Sequence, residues 1–534
     1  MSIYTIVTLL LCILTFAAAV VRDIHMFQLS SYRYSRYFRW LIPTNIFTRN
    51  RIYTGVLCAA FLIGQMQAPF ALVAFIIITI EIFKSRKKEK TPLVFTNRVK
   101  RLYTTSVILY AALATAVALL AAHFDETTEV SAKYADTTPC LAAAALLVFS
   151  DLIMLAANII NTPIEKAINR GYYNDAKKIL ASNKNLIVIG VTGSYGKTST
   201  KNYLAAVLAE KYNVLATPGN FNTLLGVIRT IREQLRPYHN VFIVEMGAKQ
   251  KNDIKEICDL VHPSIGIVTA VGEMHLETFK SVQNIQDTKF ELINSLPADG
   301  LGVINTDSPY IKSYNGITTP CKIITYGTDS DASYYAGSVQ YGAGGVTFNL
   351  NKGSESEQYS SRLLGAGNLL NLLGAIAVAD RLQVPVQKQK NAIARLQPVE
   401  HRLSMRNSGG ITVLDDAYNS NPQGAKMALE TLKNFVVGEG NKRIIITPGF
   451  VEMGTRQAEA NRELGRDIAR CTDYAIVVNI TNREAIKKGI DEGNMPQERV
   501  FLADNLNHAH SHLATILRAG DVVLYENDLP DNFK

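Results

Sequence analysis

Three stretches of this chain, Ile3 to Val21, Tyr103 to Ala122 and Pro139 to Ile160, are so poor in charge that water is a bad solvent for them. Each is about long enough for a helix to cross a bilayer core of ~30 Å. The first lacks a basic segment before it and a convincing small-residue cleavage site, so it is expected to be a retained anchor. A fourth apolar stretch, 53–83, is longer than one upright span needs, and Gln65, Gln67 and Pro69 interrupt it. It is either a hairpin or one long helix. The loops on its two sides favour the hairpin. Residues 22–52 carry Arg22, Arg33, Arg36, Arg39, Arg49 and Arg51, and residues 84–102 carry Lys84, Arg86, Lys87, Lys88, Lys90, Arg98, Lys100 and Arg101, so both belong on the inner face. The loop 124–138, with Asp125, Glu126, Glu129 and Asp136 against Lys133, suits the outer face. Everything after Ile160 is then expected inside, and membrane lipids are the expected surroundings of the first 163 residues.

The remaining chain has the patterning of soluble α/β protein. The formal charge of +9 is concentrated beside the apolar segments, where topology explains it, so no nucleic-acid partner is expected. Six cysteines, Cys12, Cys58, Cys140, Cys258, Cys321 and Cys471, show neither disulfide nor zinc-ligand spacing.

Leu186-Ile187-Val188-Ile189 reads as a short buried strand, and Tyr203 to Lys211 as a helix. Between them stands Thr192-Gly193-Ser194-Tyr195-Gly196-Lys197-Thr198. A glycine loop between strand and helix cradles phosphate on backbone N–H groups and the helix N-terminus. Lys197 would reach the β/γ oxygens and Thr198 a magnesium ion. The full pattern of such loops wants glycine at 191 and meets Val191 instead, so this is a shortened version. Val241 to Glu245 is a second buried strand that ends on a carboxylate suited to magnesium. A third, Ser264 to Thr269, leads towards His275, a plausible metal or phosphate neighbour at that strand end.

With these motifs in order, roughly residues 185 to 525 resemble the Mur ligases, and in particular their D-alanyl-D-alanine-adding branch. The resemblance rests on Gly219 to Gly226, Glu245-Met246-Gly247-Ala248, His275-Leu276-Glu277, Lys289-Phe290-Glu291 and Asn305-Thr306-Asp307. It continues through Asn368, Asn371, His401-Arg402-Leu403 and the branch marker Asp415-Asp416-Ala417-Tyr418-Asn419-Ser420-Asn421-Pro422. It implies an ATP-dependent amide ligase that activates a carboxylate as an acyl phosphate for attack by an amine, with two magnesium ions. Gly193, Ser194, Gly196, Lys197, Thr198 and Ser199 would hold the nucleotide's phosphates. Thr198, Glu245 and His275 would serve the metals, and Lys289 matches a lysine that is carbamylated in several members. Asn305, Asp307 and Asn368 would face adenine or ribose, while Arg402 and Asp416 would come from the C-terminal domain. Asn220, Asn222, Tyr418, Asn419, Asn421 and Glu452 are candidate substrate contacts.

The fold class expected is α/β: transmembrane helices over 1–163, a linker helix over 164–184, a P-loop mononucleotide-binding domain over 185–398 and a Rossmann-like domain over 399–534. Ile444 to Thr447 and Ala475 to Val478 are read as strands of the last domain. The chain departs from the family pattern at one large point: membrane helices stand where the uridine-nucleotide-binding domain is usual. Smaller departures are Thr223, Ala270, Gly367 and His401. The expected partners are ATP, D-Ala-D-Ala or another amine, and a muropeptide-like or lipid-linked carboxylate. The expected location is a bacterial cell membrane with the ligase domains cytoplasmic. The rivals are a non-catalytic membrane scaffold and a transport ATPase, and the Asp415 to Pro422 run has no task in the second.

Overall fold

The computed structural model describes residues 3–44, 92–127, 137–274, 276–418 and 421–528. The stretch 53–83, most of the loop 124–138, His275 and Asn419 lie outside them. The described residues form two compact units, 1–171 and 172–534.

In the first unit the apolar runs are helices, Ile3–Leu29 and Asn97–Thr127. A third helical run begins at Thr137–Ala145, tightens into a 3-10 turn at Leu146–Phe149, and continues through Ser150–Ser182. Among the described residues three helical stretches, 6–29, 97–123 and 141–182, are long and apolar enough to cross a membrane. Their mutual contacts mix apolar packing with paired polar groups, which is how a polar side chain is kept inside an apolar bundle. Phe16 stacks on Tyr110 at 4.3 Å, and the Tyr110 hydroxyl donates to the Ala143 carbonyl at 3.0 Å. Arg101 pairs with Glu165 at 2.7 Å. The linker helix expected over 164–184 is not a separate element. Ser150–Ser182 is one helix with Pro163 inside it.

The second unit holds two sheets. The larger contains β1 (Ile187–Thr192), β2 (Val214–Ala216), β3 (Val241–Glu245), β4 (Ile265–Val268), β5 (Leu301–Asn305), β6 (Lys322–Gly327), β7 (Tyr334–Gly342), β8 (Gly345–Lys352) and β9 (Glu355–Ser361). Their order is β2-β3-β1-β4-β5-β6-β7-β8-β9. The strands from β2 to β6 are parallel, and β7 to β9 form an antiparallel meander. Parallel strands are covered on both faces, which is why β3 is buried at every residue and was readable as an apolar run. Helices Lys197–Leu208 and Gly365–Arg381 cover one face, where Tyr203, Leu204, Leu372 and Ile376 pack on Ile189, Val191, Ile243 and Ile267. Helices Leu224–Gln234 and Asp253–Val261 supply Val227, Ile231, Ile254 and Ile257 to the cluster that contains Val188, Phe242 and Val244.

The smaller sheet contains β10 (Ser404–Ser408), β11 (Ile411–Asp416), β12 (Arg443–Thr447), β13 (Tyr474–Val478), β14 (Val500–Ala503) and β15 (Val522–Glu526), in the order β10-β11-β15-β12-β13-β14. Only β10 runs antiparallel to its neighbour. In the larger sheet β1, β3, β4 and β5 end together on Thr192, Glu245, Val268 and Asn305, and the loops that leave this edge build the site, as is usual for open α/β sheets.

Candidate active site

Val191, the position where a full phosphate loop has glycine, is a residue of β1, fully buried and paired with Glu245 of β3 and Ile267 of β4. The strand therefore extends into the space of a longer loop, and the turn starts at Gly193. Two glycines make the turn possible. At Gly193 (φ 150°) a Cβ would stand 2.1 Å from the Thr269 hydroxyl, and at Gly196 (φ 81°) 2.4 Å from the Asn371 side-chain oxygen Oδ1. Ser194 ties the turn to the loop after β4: its N–H donates to the Ala270 carbonyl at 2.7 Å and its hydroxyl to the Gly272 carbonyl at 3.1 Å.

Lys197 opens the next helix and folds back over the turn, donating to the carbonyls of Gly193 (2.8 Å) and Ser194 (3.1 Å). Burial lowers its amine to about 8 against the pull of Glu245, and Arg402 adds to the fall. Thr198 donates to Glu245 Oε1 at 3.2 Å, and the Asn222 amide donates to the same oxygen at 3.0 Å. The other oxygen, Oε2, faces the ammonium of Lys201 at 3.0 Å, with each side chain 1 % exposed. Burial alone would raise the Glu245 carboxyl, but Lys201, Lys197 and the Asn222 amide outweigh it and hold it below the usual carboxylate range. Lys289, on helix Val282–Asn294, is 4 % exposed. Burial, with Lys197 adding to it, lowers its amine to about 7 against Glu291 and Asp253. Glu291 has a structural task, accepting from the Asn252 (2.7 Å) and Lys255 (3.0 Å) N–H groups at the start of helix Asp253–Val261.

A cavity opens beside this cluster. Gly196, Thr198, Ser199, Asn305 and Asn368 line it from the larger sheet's side, and Arg402, Asp416 and Asn421 from the smaller's. Asn305 donates to the Thr269 carbonyl at 2.8 Å, and Asn368 accepts from the Tyr203 hydroxyl at 2.8 Å, so both amides are oriented by the protein. Asp307 is outside the lining, its carboxylate taken by the Thr328 N–H (2.9 Å) and hydroxyl (2.6 Å). Arg402 lies over the Tyr418 ring at 4.3 Å, and Asn220 donates to the Tyr418 hydroxyl at 2.9 Å. Burial raises the Asp416 carboxyl to about 6 despite Arg402 and the Leu403 N–H. Asn421 caps helix Pro422–Lys433, and Glu452 stands in the loop after β12 at φ 63°. Tyr195 bonds Gln423, and Arg456 pairs with Glu273, so polar contacts join the two sheets across the cavity.

Oxygen donors are what a magnesium ion takes, and Thr198 and Glu245 bring them together at one strand end. Among the described residues no three His, Cys, Asp or Glu side chains gather into a ready-made site. Nucleotide oxygens and water would therefore have to complete the shell around Glu245. Lys201 carried no assigned role in the sequence reading. Its spacing of four from Lys197 was the available signal, since such residues share a helix face.

Residues 191–379 match the Mur ligase middle domain, and residues 401–525 match the Mur ligase, glutamate ligase domain. The UDP-N-acetylmuramoyl-tripeptide--D-alanyl-D-alanine ligase of Mycobacterium bovis is 35 % identical over 357 residues, which cover 64 % of this chain and 70 % of that protein. Its counterpart in Bacillus subtilis is 30 % identical over 283 residues, covering 53 % and 60 %. The chain thus spans between 60 % and 70 % of the length of these relatives. Among solved structures, MurF ligase from Thermotoga maritima in complex with ADP aligns with a TM-score of 0.60 at 25 % identity, over 67 % of this chain and 80 % of that one. MurF from Acinetobacter baumannii, 22 % identical with the same TM-score, shares the fold. Two family domains in tandem, and a 35 % identical relative matched over 70 % of its length, establish that the chain belongs to the Mur ligase family, in the company of its MurF branch.

Proposed function

We propose that the chain is an ATP-dependent carboxylate–amine ligase that works through an acyl phosphate. It adds D-alanyl-D-alanine, or a similar amine, to a muropeptide carboxylate in cell-wall precursor synthesis. The observation that carries this reading is the convergence of Lys197, Thr198, Glu245 and Lys289 at the strand ends, beside a cavity that Arg402 and Asp416 share from the other sheet.

A carboxylate that attacks a γ-phosphate brings negative charge to negative charge, so the site must supply positive charge where it accumulates. Gly193, Ser194, Gly196 and Ser199 frame the phosphates, and Lys197, held ready by two carbonyls, swings onto them. Its lowered amine rises again once phosphate stands beside it. The carboxylate oxygen attacks the γ-phosphorus and ADP leaves; the neutral amine then attacks the acyl carbon, and inorganic phosphate departs as the nitrogen gives up a proton and the amide forms. Thr198 and Glu245 fit a magnesium ion, with His275 as the further candidate for a second. When bound, magnesium neutralises phosphate oxygens and aligns the attack.

Lys289 is suited to carbamylation because only a neutral amine adds carbon dioxide, releasing a proton. With its amine lowered to about 7, a substantial fraction is neutral in the cell. Asn305, Asp307 and Asn368 are proposed for the base and ribose end. Asn220, Asn222, Tyr418, Asn419, Asn421 and Glu452 are proposed for the acceptor and amine.

The acceptor is either the UDP-linked tripeptide that the relatives' names specify or a lipid-linked equivalent. We read residues 1–163 as a multi-pass anchor in a bacterial cell membrane with the ligase domains in the cytoplasm. Three helical stretches of spanning length support this reading, and retention in the membrane fraction after alkaline extraction tests it. The activity is tested with purified full-length protein, ATP, magnesium, D-Ala-D-Ala and each acceptor in turn. Acceptor-dependent phosphate release and an amide product of matching mass are expected. A folded preparation that releases none with either acceptor would be a scaffold.

A further inference from the structure

Lys201 lies one helical turn beyond Lys197, is 1 % exposed, and has no task in the chemistry above. Its ammonium bridges two groups: Glu245 Oε2 at 3.0 Å and the Gly219 carbonyl at 2.7 Å. Gly219 begins the turn Gly219–Asn222, and the far end of that turn is held by the same carboxylate. Asn222 donates its amide to Glu245 Oε1 at 3.0 Å, and its carbonyl accepts from the Gly247 N–H at 2.7 Å. From the middle of the turn, Asn220 reaches the Tyr418 hydroxyl at 2.9 Å, and Tyr418 carries the Arg402 guanidinium on its ring. One buried carboxylate therefore joins the phosphate-loop hydroxyl of Thr198 to both ends of a turn that touches the C-terminal domain.

We infer that Lys201 is a positioning residue that couples occupancy of the phosphate site to the turn Gly219–Asn222, and through Asn220 to the C-terminal domain. The inference rests on the ligase reading only for the identity of what binds beside Thr198 and Glu245. Glu245 has one negative charge to share. A cation brought to it with nucleotide competes with the Lys201 ammonium for that charge, and the ammonium then leans more heavily on the Gly219 carbonyl. Lysine suits this task because it is a compact charge with three rotatable donors, able to serve a carboxylate and a carbonyl together.

Hydrogen exchange on the full-length protein tests the coupling, with ADP and magnesium as the probe. In the wild type the probe is expected to protect amides 219–226. In Lys201→Met that protection falls about tenfold, within the usual range of coupling between sites. Protection of the helix Lys197–Leu208 stays as it was, and Lys201→Arg recovers part of what is lost. If Lys201→Met does not fold, Lys201→Gln, which keeps an uncharged donor beside Glu245, is expected to show the same selective loss. Full protection of 219–226 in whichever of these variants folds would overturn the inference. So would loss spread evenly over the domain, or no protection in the wild type. None of these readouts needs product. Failure to form amide would sink the ligase reading and leave this comparison intact.

Discussion

The two walls of the cavity are made in opposite ways. On the wall from the larger sheet, backbone conformations that side chains resist are given to glycines, Gly193 and Gly196, and Lys197 and Thr198 each have an assigned partner. On the wall from the smaller sheet such a conformation falls on a residue with a side chain, Leu403 at φ 50°, and His401, just outside the lining, holds another at 58°. Non-glycine residues hold such angles only where their surroundings impose them. The first wall is thus a relaxed, preformed cradle. The second carries backbone strain at residues 401–403.

That contrast yields expectations of decreasing size. Lys197→Ala removes the mobile cation of the relaxed wall and should lower turnover by about 1,000-fold, as loss of charge stabilisation at a transferring group does. Steady-state assay checks the loss, and an unchanged melting curve would attribute it to chemistry. Lys289→Ala should cost about 10- to 100-fold, the usual range for a group that organises a metal's surroundings. A short-chain carboxylic acid should restore part of it. In the wild type, the bicarbonate-dependent share of activity should vanish as pH falls through about 7, because protonated Lys289 cannot take up carbon dioxide.

The same lysine makes a stability claim of defined sign. Between about 7 and the ordinary lysine value of 10.5 the unfolded chain binds the proton that the folded one does not, so stability rises with pH across that window. Denaturant titration at pH 7 and pH 9 would show it.

Gly193→Ala should cost about 1–3 kcal/mol, as overpacking does, because a Cβ has nowhere to go beside Thr269. The smallest effect belongs to the strained wall. His401→Gly should be more stable than His401→Ala by about 1 kcal/mol, since both lose the 2.8 Å contact with Asp415 but only glycine sheds the left-handed strain. Equal stabilities would mean that the backbone at 401 is not strained.

How much of this was legible depended on how completely each element is buried. β1, β3 and β4 were readable because parallel strands covered on both faces are plain apolar runs. The meander from Tyr334 to Ser361 went unread, since its strands are partly exposed and mix polar with apolar residues. Helix Lys197–Leu208 was expected from Tyr203, because its first turn is made of functional polar residues that hide the helical period. The phosphate loop could be read from residue types alone, yet the reason for Val191 required its place in β1. Lys201 needed the fold, since its partner Glu245 comes from a different strand. Glu291 shared a motif with Lys289, and only the structure separated the helix cap from the buried amine.

The pair of Lys201 and Glu245 also limits how this sequence can change. Each neutralises the other where water barely reaches, so losing one alone strands a buried charge at a cost of about 3–5 kcal/mol, a large part of what holds a domain together. Neither position can drift by itself. A lineage that leaves lysine at 201 would have to alter 245 in nearly the same step, or pass through ancestors that fold poorly. The two positions should therefore be inherited as one unit, and a related chain that keeps the carboxylate but not the lysine must have found another buried cation to stand in its place.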